Sequence, residues 1–303
     1  MGQIDLTVTI AGKTLPNPVG TASGTFGFGE EYSPLIDINA LGAIYTKALT
    51  PEERPGNTPP RLAETTAGLI NSIGLANPGL NKFLTEKVPI LQNITAPIIV
   101  NVAGATQSDY IKVCEAMEEC APVWGVELNV SCPNVDHGGM SFGTSPPLLA
   151  RLVAAVRKVI KKPLIVKLSP NVADISEPAR AAEDAGADAL SCINTLTAMK
   201  VDIHRRKPLI PRGTGGLSGP AILPIGVAAV WRSAKAVKIP VIGVGGISRP
   251  EDALEYLLAG ACAVQTGTTL FTHPNTPLRV LSGIEQYMEQ QGFQSISELH
   301  GFF

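Results

Sequence analysis

Eight short, apolar, β-prone runs recur along the chain, each ending in a polar or glycine-rich turn. They are PVGTAS (18–23), GAIYTKAL (42–49), PIIVNVAG (97–104), GVELNVSCP (125–133), PLIVKLSP (163–170), ALSCINT (189–195), PVIGVGGI (240–247) and CAVQTGTTL (262–270). A strand that is apolar along its whole length, rather than at every second position, is buried on both faces. That pattern belongs to a parallel sheet covered by helices. Helical stretches fall between the later runs. SDYIKVCEAMEEC (108–120) and PPLLARLVAAVRKVI (146–160) space their apolar residues at i, i+3, i+4 and i+7. ISEPARAAEDAGA (175–187) and EDALEYLLAGA (251–261) each run into a glycine stop signal.

Eight such units close a (β/α)8 barrel, and an open doubly wound sheet is the structural alternative. Polar residues stand at the C-terminal end of nearly every run, where a barrel carries its active site, and this favours the TIM barrel. Three segments are additional. IDLTVTIAGKTLPNPV reads as an N-terminal β-hairpin with Ala11-Gly12 near its turn, capping the barrel floor. Residues 50–96 and 196–219 are long loop insertions at the C-terminal face, and ordered loops of that length are usually functional. No linker or internal repeat interrupts the rhythm, so residues 1–303 read as a single domain.

Composition removes several function classes. With 45 % hydrophobic and 17 % charged residues, the chain has material for a large core and too little charge for a disordered protein. Lys plus Arg is 24 against 26 for Asp plus Glu, which is not the basic footprint of a nucleic-acid binder. The N-terminus lacks a basic region followed by an apolar block, and no apolar run approaches the roughly 18 residues of a membrane helix. Gly2 is followed by Leu6 where a myristoylation signal wants Ser or Thr. The cysteines are Cys114, Cys120, Cys132, Cys192 and Cys262, an odd number with no CxxC pair. This argues against a disulfide framework, a zinc site or an iron–sulfur cluster on this chain, and suits a reducing cytoplasm. The four histidines are scattered without metal-ligand spacing, so no metal site is expected.

The strand ends carry the candidate chemistry. Lys47, Asn101, Asn129, Ser131, Cys132, Lys167, Asn194 and Thr195 all fall at or near them. Taken singly, a lysine or asparagine there is an ordinary solvated residue. Together, two cations and several amides in one barrel mouth suit a planar, polar, anionic ligand. Cys132 opens the segment PNVDHGGMSFGTSPP, which reads as a loop over the site with Gly138, Gly139 and Gly143 as hinges. A thiol there can serve as nucleophile or general base. The remaining cysteines read as packing residues. Gly245, Gly246, Gly267 and Thr268 follow the last two strands, the usual phosphate site of such barrels. The Arg205-Arg206-Lys207 run reads as solvated, or as a dock for an acidic partner.

These motifs resemble one family. TASGTFGFG (21–29), YTKALT (45–50), NSIGLANPG (71–79), VNVAG (100–104), ELNVSCPNVDHGG (127–139), IVKLSPN (165–171), INT (193–195), GGLSGPAI (215–222), VIGVGGI (241–247) and VQTGT (264–268) are similar to those of the class 1 dihydroorotate dehydrogenases. The likeness spans essentially the whole chain and is nearest to the class 1B catalytic subunit. It implies a single FMN-binding barrel domain that oxidises dihydroorotate to orotate in pyrimidine biosynthesis.

By that resemblance Cys132 is the base that removes the C5 proton, and the C6 hydride passes to FMN. Lys47, Asn71, Ser72, Ile73, Gly74, Leu75, Asn129, Asn194 and Thr195 surround the substrate. Ser23, Lys47, Ala48, Asn101, Asn129, Lys167, Ile193 and Gly219 meet the flavin, with Lys167 at its N1/O2 edge. Gly245, Gly246, Gly267 and Thr268 cradle its phosphate. The class 1B pattern further implies a homodimer core with a partner subunit carrying FAD and a 2Fe-2S cluster and passing electrons to NAD. The chain itself has no cluster cysteines and no GxGxxG fingerprint. Two departures, Ala48 and Ala76, remove no group the chemistry needs. The alternatives are a fumarate-reducing class 1A homodimer, a flavin barrel for another dihydropyrimidine, and a catalytically silent phosphate-binding barrel.

Overall fold

The computed structural model describes residues 4–130 and 142–301. Eight strands form one parallel sheet: β1 (Val19–Thr21), β2 (Ile44–Tyr45), β3 (Ile98–Val102), β4 (Val123–Asn129), β5 (Leu164–Lys167), β6 (Ala189–Cys192), β7 (Val241–Val244) and β8 (Ala263–Thr266). Each lies inside one of the eight apolar runs, save that β4 begins two residues earlier. Neighbours follow the order β1, β8, β7, β6, β5, β4, β3, β2. The two ends then meet: Gly20 bridges Ala43 in parallel, and the Gly42 amide donates to the Val19 carbonyl at 2.8 Å. The sheet is therefore a closed barrel, and the open-sheet alternative falls.

Among the described residues, six helices of nine or more residues flank the barrel: α1 (Gln107–Glu119), α2 (Pro146–Arg157), α3 (Ser176–Asp184), α4 (Leu223–Ala236), α5 (Pro250–Leu258) and α6 (Thr276–Gln291). Four of them, α1, α2, α3 and α5, match the helical stretches read from the sequence. The starts of α1 and α2 have local causes. Thr106 caps α1 reciprocally with Asp109, and proline at the first turn of α2 supplies a fixed φ where no amide partner is needed. On α2 the residues Leu149, Leu152, Val153 and Val156 are buried, one stripe at helical spacing packed on the barrel. The N-terminal hairpin forms as expected, Val8–Ile10 pairing antiparallel with Lys13–Leu15. Its turn residues Ala11 and Gly12 have φ of 52° and 73°, the left-handed pair that a two-residue hairpin turn requires. Lys13 Nζ lies 5.9 Å from the ring of Trp124 at the start of β4, so the hairpin sits at the N-terminal end of the barrel.

The insertions differ from the sequence expectation of two loops. Leu62–Thr65 and Gly68–Asn71 form a hairpin from the first, and Leu196–Ala198 and Gly215–Ser218 come from the second. These four strands join in one antiparallel sheet, with Asn71 opposite Gly216. The two insertions thus build a common roof near the C-terminal mouth of the barrel.

Candidate functional site

A cavity of about 390 Å³ lies between the C-terminal ends of the barrel strands and this roof. Strand ends supply Ser23, Lys47, Ala48, Asn129, Lys167, Ile193, Asn194 and Thr195. The first insertion supplies Asn71, Ile73, Gly74 and Leu75, and the second supplies Gly219. Gly245, Gly246, Gly267 and Thr268 close the remaining side. Nearly all the residues singled out from the sequence therefore meet in one cavity, although they are scattered over two hundred positions of chain.

Two do not line it. Ser72 is 1 % exposed and its hydroxyl accepts from Asn57 Nδ2 at 3.0 Å. Side chains alternate along an extended segment, so when Asn71 and Ile73 face the cavity Ser72 must face away. Ser72 ties the roof to Asn57 through its carbonyl and its hydroxyl. Asn101 is fully buried inside the barrel, where its Nδ2 donates to Glu127 at 2.7 Å. Ser131, Cys132, Gly138 and Gly139 lie outside the described residues. Gly143 is placed in a short 3-10 turn, Phe142–Thr144, and its amide donates to the Val130 carbonyl.

The amides form a connected set. Asn194 Nδ2 donates to Asn129 Oδ1 at 3.0 Å, and Asn194 Oδ1 accepts from the Thr195 amide at 2.8 Å. These bonds orient the two carboxamides. The Asn129 carbonyl is held by the Tyr110 hydroxyl at 2.8 Å. Across the cavity, Asn71 Nδ2 donates to the Gly216 carbonyl at 3.0 Å, which ties the two insertions together. Lys47 is fixed through its backbone amide on the Gly27 carbonyl. Burial pulls its side-chain pKa below the ordinary lysine value; Glu31 opposes that shift and Arg61 adds to it. Such a lysine, removed from bulk water, gains most from an anionic ligand.

The glycine turns present bare backbone. Gly246 has φ of +76°, and a Cβ built there would lie 2.7 Å from the Leu223 amide nitrogen. A Cβ on Gly267 would lie 3.2 Å from the Ala22 side chain. Beside them Thr268 Oγ1 donates to Ser218 Oγ at 2.8 Å, so hydroxyls and amides meet in one cradle. This is a donor set for an anion such as phosphate.

Beneath the cavity lies a cluster whose central residue, Glu127, sequence reading did not single out. Glu127 is fully buried within the barrel. Its carboxylate accepts from Asn101 Nδ2 at 2.7 Å, Ser191 Oγ at 2.6 Å and Gln265 Nε2 at 3.1 Å. Lys167 Nζ stands 3.9 Å away. The signal was present: an acidic residue in the apolar run GVELNV, two positions before Asn129 and so on the same face of the strand. Leu62, Leu69, Ser218, Ile222 and Phe271 also line the cavity, and nothing local in the sequence marks them.

The fold and the site define an α/β barrel protein whose binding cavity is built at the C-terminal mouth, with a cradle for an anion after the last two strands. The chain belongs to the dihydroorotate dehydrogenase family, whose sequence pattern matches residues 5–288. It is 50 % identical over 297 residues to a Pelobacter propionicus protein, with 98 % of both chains covered. Similar relatives come from Geobacter sulfurreducens, at 51 % with 99 % of both chains covered, and Listeria monocytogenes, at 51 % with 97 % of both chains covered. All three are named dihydroorotate dehydrogenase B (NAD(+)), catalytic subunit. A solved structure of the Eimeria tenella DHODH in complex with ferulenol superposes with a TM-score of 0.82, covering 98 % of this chain and 88 % of that one. At 21 % identity that likeness is one of fold.

Proposed function

We propose that the chain oxidises (S)-dihydroorotate to orotate on FMN held in the barrel mouth, and that it is the catalytic subunit of an NAD-linked dehydrogenase. The observation that carries this is the single cavity uniting the glycine cradle, the two lysines and the carboxamide set in a member of this family. The residues fit FMN. Gly245, Gly246, Gly267 and Thr268 offer side-chain-free backbone and a hydroxyl for its phosphate, and Lys167 offers a cation for the pole of the ring that gains negative charge. When bound, FMN supplies the acceptor for the C6 hydride of the substrate.

The chain's own residues do the rest. Lys47, half-buried and short of solvent, pairs with the substrate carboxylate. Asn71, Asn129 and Asn194 carry both donors and acceptors and read the amide edges of the pyrimidine ring. The bond between Asn194 and Asn129, and that from Asn71 to the Gly216 carbonyl, fix their orientation before substrate arrives, which lowers the cost of positioning it. Cys132 follows Asn129 by three residues, beyond the end of β4, and serves as the base that takes the C5 proton. Loss of that proton to sulfur and of the hydride from C6 leaves the ring double bond of orotate.

The names of the relatives support NAD as the electron acceptor and a second subunit beside this catalytic one. A partner carrying FAD and a 2Fe-2S cluster, docked on a homodimer of this chain, is the assembly that the sequence resemblance implies. The names favour NAD over fumarate reduction. A cytoplasmic setting fits Cys114, Cys120, Cys192 and Cys262, all free thiols.

The test is Cys132→Ala in FMN-loaded protein. Loss of a general base predicts a fall of about 10²–10⁴-fold in dihydroorotate oxidation, with the absorption of bound FMN unchanged. A variant as fast as the native protein contradicts the assignment of the base.

A further inference from the structure

Asn71, Ile73, Gly74 and Leu75 form one wall of the cavity, and that wall is held from behind by residues with no part in the reading above. Its backbone bends sharply: Gly74 has φ of +76° and Leu75 of +57°. Three non-glycine residues among those described have positive φ. Ala11 and Arg206 sit in hairpin turns, and Leu75 sits on the cavity wall. Such a conformation is unfavourable for an L-residue and persists only where its surroundings impose it.

Asn57 imposes it from one side. Its backbone amide donates to the Ile73 carbonyl at 2.9 Å, and its Nδ2 donates to the Ser72 carbonyl and to the Ser72 hydroxyl, each at 3.0 Å. Asn77 holds the other end. Its Nδ2 donates to the Leu75 carbonyl at 2.7 Å and to the Thr50 hydroxyl at 2.8 Å, and its Oδ1 accepts from the Gly79 amide at 2.9 Å. The contact with Asn57 has no slack, because a Cβ on Gly74 would lie 2.5 Å from Asn57 Oδ1. Neither Asn57 nor Asn77 lines the cavity.

Peptide planarity turns this clasp into a pair of donors. The bonds after Ser72 and Ile73 are trans, and a trans unit carries its N–H opposite its C=O. With the Ser72 and Ile73 carbonyls drawn back onto Asn57, the amides of Ile73 and Gly74 point the other way, to the cavity. Neither amide has another hydrogen-bond partner among the described residues. Lys47 lines the same cavity. Two amide donors and an ammonium suit a carboxylate, and a ring without a carboxylate gains little from them.

We propose that Asn57 is a positioning residue for the substrate. Its carboxamide fixes the backbone of residues 72–74 so that the Ile73 and Gly74 amides meet the substrate carboxylate beside Lys47. It thereby sets the preference for a carboxylated pyrimidine over a bare one. This rests on the dihydroorotate reading given above.

The experiment measures orotate and uracil binding to FMN-loaded native, Asn57→Ala and Asn57→Asp proteins, read from the flavin absorption. Uracil is the same ring without the carboxylate. Asn57 is half-buried beside the exposed residues 58–60, so neither substitution should disturb the barrel. Asn57→Asp keeps the shape and removes the Nδ2 donors; Asn57→Ala removes the side chain and adds no charge. Both should weaken orotate about tenfold, for a lost hydrogen bond and a stranded carbonyl, and leave uracil within about twofold. Equal losses for the two ligands mean a merely structural role and overturn the inference, as does a native preference for orotate in either variant. Should uracil bind too weakly to titrate, dihydroorotate turnover decides: KM should rise about tenfold with kcat largely kept, and an unchanged KM overturns the inference. Should neither variant hold FMN, the Gly74 amide resonance of the native holoprotein decides. It should move when orotate binds, and an unmoved resonance overturns the inference. A native holoprotein that does not bind orotate overturns the dihydroorotate reading and this inference with it.

Discussion

Replacing Gly246 with alanine adds one methyl group to the turn after β7, and the cost can be worked from its surroundings. The residue has φ of +76°, and a left-handed conformation costs an L-residue about 1–2 kcal/mol. The added Cβ would stand 2.7 Å from the Leu223 nitrogen and 2.8 Å from its Cα, at the first residue of α4. Those are backbone atoms and cannot rotate away, so the turn or the helix start must shift, adding about 1–3 kcal/mol. The sum is about 2–5 kcal/mol, or a melting point lowered by roughly 3–8 °C in a chain of this size. The shift displaces the amides that would hold the cofactor phosphate, so FMN affinity should fall at least tenfold, which is about 1.4 kcal/mol. Gly12→Ala is the control. Its φ is +73° with nothing within 4 Å of the new Cβ, and it lies at the far end of the barrel. It should cost about 1 kcal/mol and leave FMN binding untouched. Thermal unfolding without FMN and fluorescence titration with FMN measure both quantities. Equal FMN affinity in the two variants would refute the cradle.

Three further outcomes follow from the geometry. Lys47→Ala should weaken orotate binding by about a hundredfold or more, read by calorimetry, because it strands a carboxylate in a half-buried site. In the native protein the same affinity should decline as pH rises through the Lys47 pKa, and this decline begins below the ordinary lysine range because burial has lowered that pKa. Arg157→Ala removes the pairing with Asp188 at 2.7 Å and the bonds to the Ile160 and Lys162 carbonyls at the end of α2. It should cost about 2–4 kcal/mol in denaturant unfolding with orotate affinity unchanged. Burial holds His300 below its ordinary value of 6.5, so the unfolded chain binds more protons than the folded one just below that pH. Stability should therefore fall as pH drops from 6.5 through the lowered pKa, and His300→Gln should flatten that limb of the curve.

The barrel was legible because double-sided burial leaves a mark that single sequences carry well: an uninterrupted apolar run. The glycine turns after β7 and β8 were legible because phosphate binding needs bare backbone at fixed places. The roof was not. Gly215–Ser218 is half glycine, and its partner strand ends 145 positions away at Asn71, so neither propensity nor local pattern points to the pairing. Helix α4 was overlooked although Gly226, Ala229, Val230 and Ser233 mark a buried stripe at helical spacing. Ser72 was drawn into the substrate set by adjacency in sequence, and the alternation of side chains turns it away. Glu127 went unmarked for a deeper reason. Its meaning lies in four neighbours on strands β3, β5, β6 and β8, and such a meeting exists only once the barrel has closed.

The central claim is that dihydroorotate delivers electrons to FMN held in this chain. It is tested most directly by the visible absorption of the purified, FMN-loaded protein under anaerobic conditions, before and after dihydroorotate is added. The account predicts a yellow protein that bleaches, with orotate released in proportion. A yellow protein that keeps its colour in the presence of dihydroorotate would contradict it.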